Sequence, residues 1–394
     1  MTVTLEDVQA AARRIDGHVL RTPCIWRSDA DSASGCSGLR LHFKAENFQR
    51  GGSFKARGAL HAILCHEECR AAARRTREHS TTIVDGDGVV AESALESDRA
   101  DVPAVVVAHS SGNHASAVAW AASVVGLEAE VVVPHGAPTC KVEAAVKNGA
   151  KVVRCESNMK AREECARQVE ENHAQAGKPV LFVAPFDDPR VIAGQGTVAV
   201  EMLAQVPHLD VIVAPISGGG LLSGIAVAAK AIKPSIRVIG AEPRGTSEHE
   251  LKTDPGVDGD LGRADAALSL RRGTRTRCEA PNTLADGLRA TVGRITWPLL
   301  RELVDDVVVV DDAHIVRAMQ VCFETLKMVV EPSGATSLAA VMSPQFQDHP
   351  LLVGCTDVGV VLSGGNVDLD VLWTDVFARV HPSVRQAASA RFSS

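Results

Sequence analysis

Alternation of short apolar runs with helix-forming segments constrains the fold of this chain more than any other feature. Patterns typical of buried strands at residues 102–108, 210–216 and 238–243 are separated by segments in which apolar residues recur at helical spacing. Strands that alternate with helices wind into a parallel sheet covered by helices. The pattern predicts an α/β fold with mostly parallel sheets, and 394 residues allow two domains or one large unit.

A glycine loop joins one of these strands to a helix. Ser217-Gly218-Gly219-Gly220 follows the strand pattern 210–216, and an apolar helix begins at Leu221. Free backbone N–H groups at a helix start, together with the helix dipole, attract a phosphate. The loop fits neither the dinucleotide pattern nor the P-loop, which ends in Gly-Lys-Ser/Thr, so it favours a compact monophosphate.

A second motif surrounds Lys55, in the stretch Ser53-Phe54-Lys55-Ala56-Arg57-Gly58-Ala59. The lysine stands after a Gly-Gly turn, where a strand at 39–44 gives way to a helix. Burial there would lower the pKa of its amine, as is needed for an imine to form with an aldehyde. A basic first turn of a surface helix is the simpler explanation of the local sequence alone.

A third motif, His109-Ser110-Ser111-Gly112-Asn113-His114, follows the strand pattern 102–108 and opens a helix. Backbone N–H groups beside hydroxyl and amide side chains form a natural cradle for a carboxylate. An ordinary N-capped helix is the alternative. Three further motifs, at 284–288, 330–335 and 358–366, also stand at strand ends or helix starts.

Composition restricts the partners of the chain. A formal net charge of -7 argues against nucleic acid or an anionic membrane surface, and no apolar run approaches the roughly 20 residues that span a membrane. Ten scattered cysteines suit reduced thiols. We therefore expect a cytoplasmic protein that binds a small molecule. Residues 66–101 are rich in charged and small polar residues and predict a surface insertion, partly disordered.

Together, the lysine motif, the Ser-Gly-Asn-His motif, the glycine loop and Ser363-Gly364-Gly365-Asn366 resemble the fold-type II pyridoxal phosphate enzymes. Within them they resemble the serine racemase and serine/threonine dehydratase branch, over about residues 5–370. The resemblance implies a tryptophan synthase β-like fold, with two three-layer αβα domains around mostly parallel sheets. Residues 1–85 and 189–394 would form the large cofactor-binding domain, residues 86–188 would form the small substrate-binding domain, and the enzyme would be a homodimer.

The resemblance also implies a role for each motif. Lys55 would bond covalently to pyridoxal 5'-phosphate, Phe54 would lie against its ring, and Ser363 would meet the ring nitrogen. Asn113 would bond the 3-oxygen. The phosphate would be held by the backbone N–H groups of Ser217, Gly218, Gly219, Gly220 and Leu221.

Ser111 indicates the type of reaction. In the racemase branch a serine at this position is the acid/base on the face opposite Lys55, whereas many threonine dehydratases carry alanine there. The resemblance therefore implies conversion of L-serine to D-serine, with α,β-elimination from serine or threonine. The substrate carboxylate would meet Arg162 and the loop residues Ser110, Ser111, Gly112, Asn113 and His114.

Two departures keep alternatives open. Ala184 and Phe186 stand where racemases have His and Asn, and segment 186–189 looks more like threonine dehydratases. The chain could thus be an ammonia-lyase for L-threonine or threo-3-hydroxyaspartate with little racemisation. A non-catalytic amino-acid-binding protein is a further alternative, against which the intact Lys55 argues.

A divalent cation is the last implication of the resemblance. Glu242, the carbonyl of Thr246 and Glu248 match the metal site of the racemase branch, and such oxygen ligands suit Mg²⁺ or Ca²⁺. Acidic residues in a solvated loop would give the same sequence.

Overall fold

Two sheets organise the chain in the computed structural model, which describes residues 2–36, 38–80, 102–110, 112–245, 261–278, 282–368 and 372. The six-stranded sheet has the order β1-β2-β10-β7-β8-β9, and the four-stranded sheet has the order β5-β4-β3-β6. The strands are β1 (Cys24–Trp26), β2 (Arg40–Ala45), β3 (Val105–His109), β4 (Ala129–Pro134), β5 (Lys151–Cys155), β6 (Val180–Phe182), β7 (Val211–Pro215), β8 (Arg237–Pro243), β9 (Asp306–Val310) and β10 (Asp357–Leu362). All neighbouring strands are parallel except β1 and β2.

Helices cover both faces of each sheet. In β7, Ile212 belongs to one core while Val211 and Val213 belong to another, because successive side chains of a strand point to opposite faces. The predicted α/β architecture with mostly parallel sheets is confirmed. The helices are α1 (Leu5–Ile15), α2 (Ser28–Ala33), α3 (Lys55–Ser80), α4 (Asn113–Val124), α5 (Thr139–Lys147), α6 (Met159–Gln175), α7 (Pro189–Gln205), α8 (Gly220–Ile232), α9 (Asp265–Arg272), α10 (Thr296–Leu303), α11 (Asp312–Val321), α12 (Pro332–Val341) and α13 (Pro344–Gln347).

Helix α3 corrects one prediction. It begins at Lys55 and continues to Ser80, so the first part of the expected surface insertion is helical rather than disordered. The side chains are mostly buried as far as Ile63 and become partly or fully exposed beyond it. Charged residues beyond that point indicate a helix that leaves the core, and their polarity resembled that of a loop. Residues 81–101 lie outside the described residues, as does the predicted domain boundary at 85/86.

A buried ionic network fixes the first turn of α3. The Arg57 guanidinium is fully buried and donates from Nε to Glu46 Oε2 at 2.8 Å and from Nη1 to Glu201 Oε1 at 2.6 Å. Lys44 Nζ donates to Glu201 Oε2 at 2.7 Å. Buried charges are tolerated when they are paired in this way, and removing one partner is strongly destabilising. The arginine of the lysine motif thus anchors Lys55 to β2 and α7.

In the part of the chain that the structure describes, no helix is both long and apolar enough to cross a membrane. All ten cysteines are free thiols.

Candidate functional site

The predicted motifs all follow the carboxyl ends of parallel strands. The lysine motif comes after β2, the glycine loop after β7 and Ser363 after β10, within one sheet. Ligands of open α/β sheets bind at this edge, because the loops and helix starts there expose backbone polar groups. The His109–His114 motif stands at the equivalent edge of the four-stranded sheet, after β3.

Lys55 lies where these elements meet. Its Nζ donates to the carbonyl of Pro185 at 2.7 Å and lies 5.1 Å from the centroid of the Phe54 ring. The Phe54 N–H donates to the Ser363 carbonyl at 3.1 Å, which ties the lysine motif to the end of β10. Burial lowers the pKa of Lys55 to about 8. A carboxylate partner would counter this effect, whereas the Pro185 carbonyl is neutral.

The glycine loop is held from behind. The carbonyl of Gly218 accepts from Thr296 Oγ1 at 2.7 Å and from the Gly293 N–H at 3.1 Å. The Phe186 ring packs so closely that a Cβ added at Gly218 would lie 2.4 Å from it. Helix α8 begins at Gly220, and the first N–H groups of a helix lack intrahelical partners. The loop therefore offers a compact set of backbone donors.

Ser217, at the position where related sequences more often have glycine, uses its hydroxyl group elsewhere. Its Oγ donates to the Ala290 carbonyl and accepts from the Ala290 N–H, both at 3.0 Å. This reciprocal pair leaves the backbone of the glycine loop undisturbed.

Gly219 offers the first testable prediction. Its φ is +93°, and an added Cβ would lie 2.8 Å from Leu300 Cδ1 and 2.9 Å from Thr296. Gly219→Ala should therefore lower the free energy of unfolding by about 2 kcal/mol and weaken binding of phosphate-bearing ligands. The control is Gly126→Ala, where φ is +71° but nothing lies within 4 Å. Equal losses in urea unfolding of the two variants would contradict crowding at the loop.

Asn113 stands at the start of a polar chain that crosses the cleft. Its Oδ1 accepts from Asn366 Nδ2 at 3.0 Å, and its Nδ2 donates to Glu331 Oε1 at 2.5 Å. Lys141 Nζ pairs with Glu331 Oε2 at 2.8 Å and with Asp286 Oδ2 at 2.6 Å. This chain links α4 and α5, which pack on the four-stranded sheet, to the ends of elements around the six-stranded sheet.

Charge explains why the chain is stable when buried. Burial raises the pKa of Glu331, and the ammonium group of Lys141 opposes that rise. Burial alone would lower the pKa of Lys141, but the Glu331 and Asp286 carboxylates hold it above its usual range. The sequence motifs at 284–288 and 330–335 were noted without a role, and nothing in the sequence connected them to Lys141. An acid directly before Pro332 at a helix start was the one available signal.

The loop after β3 is partly described. Ser110 Oγ accepts from the Gly112 N–H at 3.0 Å, while Ser111 lies outside the described residues. His114 Nε2 lies 2.9 Å from the Val183 carbonyl, and burial together with the charge of Lys55 lowers its pKa to about 3. His114 is therefore neutral, with one ring nitrogen engaged.

Arg162 lies on α6, near the end of β3. Burial and the nearby Arg162 charge lower the pKa of His109 to about 4. Arg162 Nε is buried without a hydrogen-bond partner among the described residues. A buried guanidinium donor without a partner is suited to an anionic ligand.

Of the predicted metal ligands, the described residues include only Glu242. Its carboxylate is buried and accepts from the N–H groups of Ala266 at 3.0 Å and Ala267 at 2.9 Å, at the start of α9. Burial and the neighbouring Asp265 carboxylate raise the pKa of Glu242 well above its usual range. Thr246 and Glu248 lie outside the described residues.

Comparisons with known proteins agree with this geometry. Residues 15–364 match the model of the family described as pyridoxal-phosphate dependent enzyme. A serine racemase of Arabidopsis thaliana is 42% identical over 366 residues, which cover 93% of this chain and 94% of the relative. The structure of maize serine racemase is 38% identical with a TM-score of 0.77, covering 96% of this chain and 98% of that one. The crystal structure of a bacterial-type threonine deaminase (T.th.) is 37% identical with a TM-score of 0.72, covering 93% and 99%.

Proposed function

This chain belongs to the family of pyridoxal-phosphate dependent enzymes, and we propose that it converts L-serine to D-serine and also eliminates water from serine or threonine. The observation that carries the proposal is Lys55, an amine with a pKa of about 8 among a glycine loop, Asn113 and Ser363. Similarity to serine racemases over nearly the whole of both chains supports the reaction.

The residues present fit the cofactor. The glycine loop has no room for side chains at Gly218 and Gly219, as a backbone cradle for a phosphate requires. We assign the phosphate to the N–H groups of residues 217–221, the aldehyde to Lys55, the 3-oxygen to Asn113 and the ring nitrogen to Ser363. Phe54 would lie against the ring. When bound, pyridoxal phosphate withdraws electrons from the amino-acid Cα and so makes its proton removable.

Two side chains would move the proton. Lys55, once released by the substrate amine, takes the Cα proton on one face, and its lowered pKa keeps much of it neutral near pH 8. Ser111 would return a proton on the other face to give the D-enantiomer. Elimination needs only the first step followed by departure of the β-hydroxyl group. Arg162 and residues 110–114 would hold the substrate carboxylate.

The pKa of Lys55 gives a pH prediction. Only the neutral amine bonds to an aldehyde, and the neutral fraction rises as pH increases through the pKa. Uptake of pyridoxal phosphate by the cofactor-free protein should accelerate from pH 6 upward and level off above a midpoint of about 8. Stopped-flow absorbance between pH 6 and pH 10 measures this midpoint. A midpoint near 10.5, the ordinary lysine value, would contradict a buried amine.

Ser111→Ala separates the two reactions. The variant should lower D-serine formation by about 10²-fold or more while pyruvate formation persists, because only racemisation needs the second acid/base. Chiral chromatography and a keto-acid assay on the same samples provide the measurement.

Ser110→Ala is the matched control for Ser111→Ala. Its hydroxyl group orders the loop through the Gly112 N–H, so both reactions should fall together. Unchanged D-serine formation in Ser111→Ala would remove the two-base assignment.

A second candidate is an ammonia-lyase for L-threonine or threo-3-hydroxyaspartate with little racemisation. Phe186 favours it, because this residue packs on Gly218 where racemases were expected to have a polar side chain. Turnover of L-serine, L-threonine and threo-3-hydroxyaspartate, with keto acid and D-enantiomer measured together, distinguishes the two.

The remaining expectations stay proposals. We propose a large domain of residues 1–85 and 189–394, a small domain of residues 86–188, a homodimer and a cytoplasmic location. We also propose a Mg²⁺ or Ca²⁺ site formed by Glu242, the Thr246 carbonyl and Glu248. The buried carboxylates of Glu242 and Asp265 repel each other, and a cation would relieve that repulsion. Thermal unfolding with and without a chelator tests the site.

A further inference from the structure

A cluster of metal-ligating side chains lies at the edge of the six-stranded sheet opposite the candidate active site. His42 is in β2, Asp357 begins β10, and His208 lies in the connection between α7 and β7. One ligand atom from each residue lies within 4.8 Å of the other two. The three residues are far apart in sequence, and the parallel pairing of β2 and β10 brings two of them together.

The distances match the edges of a small coordination polyhedron. His42 Nε2 lies 2.9 Å from Asp357 Oδ1, and His208 Nε2 lies 3.4 Å from the same oxygen. In a tetrahedral zinc site with bonds of about 2.0 Å, two ligand atoms are separated by about 3.3 Å. A metal ion can therefore be placed between these three atoms with only small side-chain movements.

The environment suits a metal ion bound by nitrogen and oxygen. The Arg40 guanidinium, hydrogen-bonded to Asp357, holds the pKa of that carboxyl well below its usual range, so the carboxylate is ionised. His42 and Asp357 are buried, which fixes two ligands, whereas His208 is 60% exposed and leaves a path for the ion. Two imidazoles and one carboxylate are a typical zinc donor set with an open fourth position for water.

Arg40 is the competing cation. It donates from Nε to Asp357 Oδ1 at 2.7 Å and from Nη2 to Oδ2. Its side chain is about half exposed and could keep the Oδ2 contact as an outer partner of the ligand. The nearby Asp210 carboxylate, which accepts from the Asp357 N–H at 3.1 Å, offsets part of the added positive charge.

We propose that His42, His208 and Asp357 form a Zn²⁺ site remote from the pyridoxal phosphate. The ion would tie β2, β10 and the connection before β7 together, with water as its fourth ligand. This site differs in residues and donor chemistry from the oxygen-only site proposed around Glu242.

Cobalt substitution tests the site. Co²⁺ in a tetrahedral nitrogen and oxygen environment absorbs in the visible region at wavelengths longer than the cofactor band. We expect the cofactor-saturated protein, titrated with Co²⁺ in excess Mg²⁺, to develop this absorption with one ion per chain. His208→Ala should weaken Co²⁺ binding by at least about 10-fold. Because His208 is exposed, its loss should not affect folding.

The matched control is His314→Ala. His314 also pairs with a carboxylate, 2.7 Å from Asp311, but has no second histidine in its cluster among the described residues. It should bind Co²⁺ like the unmodified protein. Absence of the visible band, or equal Co²⁺ affinity in His208→Ala and the unmodified protein, would overturn the proposal. As a second measurement, Zn²⁺ should raise the thermal midpoint of the unmodified protein and of His314→Ala more than that of His208→Ala.

Discussion

Replacing Lys55 with alanine should remove the covalently bound cofactor and lower both D-serine and pyruvate formation by at least about 10³-fold. Lys55 is the described lysine whose amine lies beside Phe54 and the end of β10. Its loss removes the bond to the cofactor and the base that takes the Cα proton. The visible absorption of the purified protein reports the first effect, and the two product assays report the second.

Lys147→Ala is the control for this substitution. Lys147 is exposed at the end of α5, so its loss should leave the absorption band and both activities unchanged. Addition of a small primary amine to Lys55→Ala offers a further check, because it can supply part of the missing base. An intact absorption band in Lys55→Ala would contradict the assignment of the cofactor to this lysine.

Lys141→Met should lower the free energy of unfolding by about 3–5 kcal/mol, because it leaves Glu331 buried without its counter-ion. The Asn113 amide that donates to Glu331 should lose its fixed position, so cofactor affinity should fall as well. Urea unfolding at a fixed concentration of pyridoxal phosphate measures the first effect, and equilibrium titration measures the second.

The pH dependence of Lys141→Met follows from the same carboxylate. Burial raises the pKa of Glu331 in the folded protein. A raised pKa means that the folded state holds a proton which the unfolded state has released. The stability loss should therefore be full above the folded pKa and diminish as pH falls towards the unfolded value near 4.3.

Lys151→Met provides the matched control. Lys151 also pairs with a glutamate, 3.0 Å from Glu130, but its side chain is 74% exposed. Exposed pairs contribute about 0–1 kcal/mol, so this variant should unfold almost like the unmodified protein. In a double-mutant cycle, Glu331→Gln should cost less in Lys141→Met than in the unmodified chain. Additive effects would show that the two residues are not coupled.

The sequence predicted the elements that follow a local rule. Helix α1 was expected with Thr4 as its N-cap, and the structure has Thr4 and Asp7 in a reciprocal capping box. The strand and helix around the glycine loop were predicted for the same reason, since strand pattern, glycine run and apolar helix are adjacent. Polar residues after position 66 misled the prediction, because a protruding helix and a loop have similar compositions.

The polar contacts across the cleft could not be predicted in this way. Lys141 and Glu331 are 190 positions apart, and their pairing depends on how the two sheets meet. The same holds for Arg57 and Glu201, which pair through the packing of α3 against α7. Local patterns identify which side chains can do chemistry, whereas the tertiary fold decides which charges neutralise one another.

The most direct measurement is simultaneous determination of D-serine and pyruvate formed from L-serine by the purified, cofactor-saturated protein. We expect both products from the unmodified chain, neither from Lys55→Ala, and pyruvate with little D-serine from Ser111→Ala. Pyruvate without D-serine from the unmodified chain would contradict racemisation. Formation of neither product would contradict the proposed enzyme function.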